Sequence, residues 1–143
     1  MSSFNSYLYA FGVAEQFLPD EYNLQNNQLT VPNTFVLSRT KNGETLSVYS
    51  DNVWDLSPYS PKCHCRLNFD SWLEDAREDY FLFCQIRAEM KKISFALLYI
   101  KSGKSIIKSI EQRHTVLRQF AAIAYKNGCT LQQLFSDVAY MSK

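Results

Sequence analysis

The side chains here with chemistry beyond folding are the thiols, the imidazoles and the cations. Cys63, His64 and Cys65 stand side by side, and two thiolates with an imidazole are soft donors of the kind zinc takes. A structural zinc site draws on two pairs of donors, and the remaining candidates, Cys84, Cys129 and His114, are scattered over predicted helices or a helix start. The three residues therefore read as an exposed loop with incidental thiols, and neither a metal nor another cofactor is expected. Cys129 precedes Thr130 at a predicted helix N-terminus, where a thiol pKa falls; nothing else converges there, so it reads as structural. His114 flanks an apolar stripe and reads as a hydrogen-bonded residue at the edge of the core, not as a ligand or base. The sequence has no glycine-rich phosphate loop, no HExxH helix pair and no nucleophile paired with a base. It reads as a chain that binds and does not catalyse.

The cations point to what it binds. Over residues 104–126, helical spacing puts Lys104, Lys108, Thr115, Arg118, Gln119, Ala122 and Lys126 on one face. Lysine and arginine beside small side chains let a helix approach a phosphate backbone closely and neutralise its charge. Any solvated helix face is rich in lysine, so this face alone does not decide. The charge distribution adds to it: residues 1–79 hold 5 Lys+Arg and 11 Asp+Glu, whereas residues 80–143 hold 10 and 3. A basic half suits an anionic partner, unless the two halves simply neutralise each other. Arg113 falls inside the apolar stripe, from which it snorkels outward, pairs with an acid or reaches a phosphate.

Those residues need elements to hold them. At 143 residues, with 46% hydrophobic and 20% charged, the chain has the size of one domain, or of one domain with an N-terminal appendage, and is not disordered. No apolar run spans a bilayer, the richest being residues 93–100. No basic stretch precedes the first apolar residues, so a signal peptide is not expected. A cytoplasmic location follows, with reduced thiols. Phe4, Tyr7, Leu8, Phe11, Ala14, Phe17 and Leu18 permit a short amphipathic helix limited by Pro19, before a polar loop. Residues 34–50 read as a β-hairpin turning at Asn42 and Gly43, a pair that tolerates the positive φ of a tight turn. Val53, Trp54, Leu56 and Tyr59 are candidates to cover it, and Pro58, Ser60 and Pro61 mark a linker.

The C-terminal half reads as helices. A short turn or helix is expected at about 70–76 and a long helix at about 79–101 behind an acidic start. Its stripe is Phe83, Ile86, Met90, Ile93, Leu97 and Ile100, widened by Phe95, Leu98 and Tyr99, with a stop at Ser102 and Gly103. The next helix, 104–126, buries Ile106, Ile110, Leu117, Phe120, Ala121 and Ala124. Ser105 or Ser109 caps it, Ser109 placing Gln112 at the capping-box position, and Asn127 and Gly128 stop it. Thr130 with Gln133 then caps a third helix, apolar at Leu131, Leu134, Phe135 and Val138.

This order of elements resembles the core-binding (SAM-like) domain of tyrosine-type site-specific recombinases, the phage-integrase class. The matching stretches are LLYIKSGKS, then SIIKSIEQRHTVLRQFAAIAYKNG, then TLQQLFSD. Asp51, Asn52, Val53, Trp54, Asp55, Leu56 and Ser57, followed by Leu67, Asn68 and Phe69, are similar to the leader of some large bacterial integrases. The resemblance covers about residues 51–143. Together with the hairpin read at about 34–50, it gives an α+β chain: an N-terminal region over 1–61 that holds the hairpin, then, as the resemblance implies, a helical core-binding domain over 62–143. It also implies double-stranded DNA as partner, clamped by Lys101, Lys104, Ser105, Lys108, Ser109, Gln112 and Arg113, with Lys91, Lys92, Arg118 and Lys126 as secondary contacts. Other recombinase protomers are further implied partners; a membrane or a small-molecule substrate is not. The family's catalytic Arg and His groups and its Tyr nucleophile lie in a second domain, and none of the nine tyrosines here sits in a matching context. The expectation is a non-catalytic N-terminal part of a longer integrase, or a truncated relative. The alternative is a small non-enzymatic interaction or oligomerisation module whose aromatic-rich leader docks a partner.

Overall fold

The computed structural model describes residues 3–22, 30–73, 77–100 and 106–141. Outside them lie most of the expected polar loop, the acids Glu74 and Asp75, and the Ser102–Gly103 stop. The architecture is α+β: two small antiparallel hairpins precede a mainly helical bundle. The elements are α1 (Ser3–Ala10), β1 (Val36–Arg39), β2 (Thr45–Val48), β3 (Val53–Asp55), β4 (Arg66–Asn68), α2 (Tyr80–Tyr99), α3 (Ile106–Lys126) and α4 (Leu131–Met141).

The N-terminal helix is shorter than its apolar spacing allows. It ends well before Pro19, at a turn in which the Gly12 amide donates to Tyr9 O and the Val13 amide to Leu8 O. This is the Schellman arrangement. Phe4 and Leu8, one turn apart, are buried, while Phe11 is 65% exposed. The chain then runs past β1: the Asp20 amide donates to Val36 O at 2.9 Å, and the Val36 amide donates to Asp20 Oδ2 at 3.0 Å.

The first hairpin lies where Asn42 and Gly43 place it, but its turn differs from expectation. The Gly43 amide donates to Thr40 O and the Thr40 amide to Glu44 O, so the loop has three residues. Only Gly43 takes a positive φ, +82°, and Asn42 does not. A type I turn closed by a left-handed glycine is the usual three-residue solution; the β1–β2 register is irregular further along the strands, at Ser38 and Ser47.

A second hairpin was not expected. β3 pairs with β4 in the register Val53↔Asn68, Trp54↔Leu67, Asp55↔Arg66. The pairing is prolonged by Leu56 N to Cys65 O at 2.7 Å and Phe69 N to Asn52 O at 2.8 Å. Pro58, Ser60 and Pro61, read as a linker, form its connection, opened by a 3-10 turn over Ser57–Tyr59. Trp54 and Leu67 point inward and are fully buried, whereas Val53, facing the other side, is 39% exposed.

One apolar cluster runs from Phe4 through both hairpins to Leu131. Its centre is aromatic: Phe95 lies edge-on to Tyr22, Phe35 and Tyr49 and stacks on Tyr99. Edge-to-face and offset pairs are the favoured geometries of aromatic quadrupoles. Tyr59 ties the layers together, its hydroxyl donating to Phe17 O at 2.7 Å and accepting from the Arg39 amide at 3.0 Å.

The Asp79 carboxylate caps α2 by accepting from Leu82 N at 3.0 Å, in keeping with the acidic start. Phe83, Ile86, Met90, Phe95, Leu98 and Tyr99 are buried, but Ile93 and Leu97 are only partly buried and Ile100 is 40% exposed; the buried row continues from Ile86 and Met90 through Ser94 to Leu98, at steps of four. α3 leaves by a second Schellman turn, Gly128 N to Tyr125 O and Cys129 N to Ala124 O. α4 then opens with the expected capping box: Thr130 N donates to Gln133 Oε1 at 2.8 Å, and Gln133 N to Thr130 Oγ1 at 3.3 Å. Among the described residues no helix is long and apolar enough to cross a membrane.

Candidate nucleic-acid interface

The two faces of α3 separate cleanly. Ile106, Ile107, Ile110, His114, Leu117, Ala121 and Ala124 are buried, while Lys108, Gln112, Arg113, Thr115, Gln119 and Lys126 are exposed. Lys101, Lys104 and Ser105 lie outside the described residues. Ser109 is no cap: it sits inside the helix, half-buried, and its hydroxyl donates back to Ile106 O at 3.4 Å. Phe120, expected in the core, is 39% exposed and meets Phe135 of α4 edge-on, centroids 5.5 Å apart.

The remaining cations divide by what they touch. Arg118 Nη2 donates to Ser71 O at 2.7 Å and to Ser71 Oγ at 3.3 Å, strapping α3 to the segment after β4. Lys91 is buried, and its ammonium donates to Ser50 O at 3.1 Å and Asn52 Oδ1 at 3.2 Å. Burial, and secondarily Arg87, lower its pKa. Arg87 pairs with Asp70 at 3.0 Å. Lys92, Lys108, Arg113 and Lys126 make none of the ion pairs among the described residues. Those pairs are Arg39–Asp20, Arg66–Asp55, Arg77–Asp70 and Arg87–Asp70. Only the last joins the acidic stretch before residue 80 to the basic stretch after it, so among these residues the halves do little to neutralise each other.

His114 and Cys65 are held inside the fold. His114 Nε2 donates to Asn68 O at 2.7 Å, and the ring lies edge-on to Phe69 at 5.1 Å. Its Nδ1 is buried without a hydrogen-bond partner among the described residues. Burial lowers its pKa below 6.5, the Asn68 bond opposes this and Arg118 adds to it; the ring is held neutral. Cys65 is not in an exposed loop. It is buried in the core, and desolvation, with Glu111 and Asp55, pushes its thiol up to about 12. Cys63 is exposed, with φ at +54°. No three His, Cys, Asp or Glu side chains converge on a metal-sized site among the described residues.

Two grooves border the outer side of α3. The larger, about 590 Å³, lies between Trp72 and Leu73 and the helix face carrying Thr115, Arg118, Gln119, Ala122 and Lys126. The other, about 310 Å³, lies between Ser60, Pro61 and Lys62 of the β3–β4 loop and Ile107, Lys108 and Glu111 of α3. Lys62 carries no sequence signal linking it to this helix, because the hairpin that brings it there is itself unmarked in the sequence. An apolar stripe was also missed: Val116, Phe120, Ile123 and Phe135 are each more than one-third exposed. Its signal was present as a second i, i+4, i+7 spacing on α3. No protein-family model, curated protein or solved structure matches the chain.

Proposed function

We propose that the chain is a non-catalytic module that binds duplex DNA, the N-terminal and core-binding (SAM-like) part of a tyrosine-type site-specific integrase, with the outer face of α3 laid against the phosphate backbone. The supporting observation is the division among the cations. Arg87, Lys91 and Arg118 are used inside the fold, whereas Lys108, Arg113 and Lys126 face solvent along one helix with no acid paired to them among the described residues. Lys108 and Lys126 are about five helical turns apart, hence at one azimuth and about 27 Å along the axis. That distance fits within one turn of duplex, about 34 Å. Gln112, Thr115 and Gln119 lie between them as neutral hydrogen-bonding groups. Such a surface draws most of its affinity from released counterions. The test is fluorescence anisotropy of a labelled duplex at low salt with the charge-reversal pair Lys104→Glu and Lys108→Glu. The double variant is expected to lose binding while retaining the thermal midpoint of the parent. Unaltered binding by a folded double variant places the DNA face elsewhere.

The exposed stripe of Val116, Phe120, Ile123 and Phe135 favours a second reading, an interaction or oligomerisation module, since clustered apolar surface marks protein contacts. Sedimentation separates the two readings: this one requires concentration-dependent association that Phe120→Ser removes, and a monomer at all concentrations counts against self-association.

A further inference from the structure

We infer that the bound duplex extends beyond α3 onto the β3–β4 loop, where Lys62 and Lys108 line a cleft for a backbone phosphate. This rests on the DNA reading of α3 and adds to it a residue from the acidic half of the chain. The cleft is the 310 Å³ groove, with Ser60, Pro61 and Lys62 on one wall and Ile107, Lys108 and Glu111 on the other. At about 30 Å³ per water, it has room for a phosphate group with part of its hydration. Both lysines are exposed, and neither takes part in an ion pair among the described residues.

Both walls are built on fixed backbone. On the loop side the Lys62 amide donates to Ser60 Oγ at 3.3 Å and the Cys63 amide to Ser60 O at 3.0 Å. Cys63 is the one described non-glycine residue with a positive φ, so the tip has a specific shape. Below it, Cys65 N donates to Ser57 Oγ at 3.1 Å. On the helix side Ile107 is buried and holds the first turn of α3 in place. With the backbone of both walls held, only the two lysine side chains have to be ordered on binding. Lys108 belongs both to this cleft and to the outer face of α3, so a duplex lying along that face at Lys108 comes within the reach of Lys62. Glu111 is the one acid on the walls, and it opposes a phosphate there.

The experiment uses the full chain and a labelled mixed-sequence duplex, with affinity measured across a salt series for Lys62→Glu, Lys108→Glu and Glu111→Gln. Thermal unfolding is the fold control, and Lys62→Gln serves if the charge reversal disturbs the loop. The expected result is that Lys62→Glu weakens binding about as much as Lys108→Glu. Each should make the slope of log K against log salt shallower by about one, and Glu111→Gln should tighten binding. Binding by folded Lys62→Glu equal to the parent, with Lys108→Glu weakened, overturns the cleft and leaves the α3 reading intact. Failure of the parent chain to bind duplex at any salt overturns both.

Discussion

Glu89 on α2 offers a test of how α4 is held. Its carboxylate accepts from the Leu131 amide at 2.8 Å and the Gln132 amide at 2.9 Å, while Thr130 Oγ1 accepts from Gln133 N at 3.3 Å. The Leu134 amide then makes the first bond of the α4 ladder, to Thr130 O. Every amide that a helix start leaves without an intrahelical partner in this first turn is therefore satisfied, two of them by a residue more than forty positions away. Glu89→Ala removes both bonds. Leu131 is 1% exposed, so its amide loses its partner where water is scarce, at a cost of about 1–3 kcal/mol. The Gln132 amide is exposed and gains water in exchange, so it adds roughly 0.5 kcal/mol, at the low end for a hydrogen bond. The sum is about 2.5 kcal/mol, or roughly 10 °C in the midpoint for a chain of this size. Glu89→Gln keeps one acceptor oxygen and loses the charge that favours a helix N-terminus, for about 1 kcal/mol. Urea unfolding gives the order parent, Gln, Ala, and hydrogen exchange shows the Leu131 and Gln132 amides accelerated most. An Ala variant within about 0.5 kcal/mol of the parent, or exchange unchanged at those two amides, refutes the account.

His114 sets a pH dependence. Burial holds its folded pKa below 6.5, so between that lowered value and 6.5 the unfolded chain binds a proton that the folded chain does not. Its contribution is complete above 6.5 and lost as pH falls below it; urea unfolding at several pH values should show a loss in the parent that His114→Asn lacks, and equal profiles would contradict this. Cys65, with its thiol raised to about 12 and buried, should resist a thiol reagent in the native chain while Cys63 reacts; rapid labelling of Cys65 without unfolding would be the contrary result. Lys91→Met, which removes the bonds to Ser50 O and Asn52 Oδ1, should lower stability by about 1–2 kcal/mol and leave duplex affinity unchanged; a selective loss of affinity at constant stability would return Lys91 to the DNA surface.

Local signals carried well where they were short-range. Asn42 and Gly43 located the first hairpin, Thr130 with Gln133 located the start of α4, and the acids before residue 80 located the start of α2. The turn geometry was missed because an Asn-Gly pair serves two-residue and three-residue loops alike, and only the flanking pairing of Thr40 with Glu44 distinguishes them. The second hairpin was missed for a related reason. Its strands have three residues each, too few for alternation to show, and a proline-containing connection separates them. Lys91 shows the limit for site residues. Its place on a helix was legible, but its burial depends on a loop some forty residues earlier. Non-local pairing also hid Lys62, which the second hairpin brings to α3; Phe120 meets Phe135 of α4, which leaves the ring only partly covered.

The most direct test of the central claim is the salt dependence of duplex binding by the unmodified chain. Lys62, Lys108 and Lys126, each meeting one phosphate, predict that log K falls against log salt with a slope of about −2.7. A slope of that size or steeper, for duplexes of unrelated sequence, is the result expected of a phosphate-directed surface. Absence of binding at low salt, or binding whose affinity does not change with salt, contradicts it.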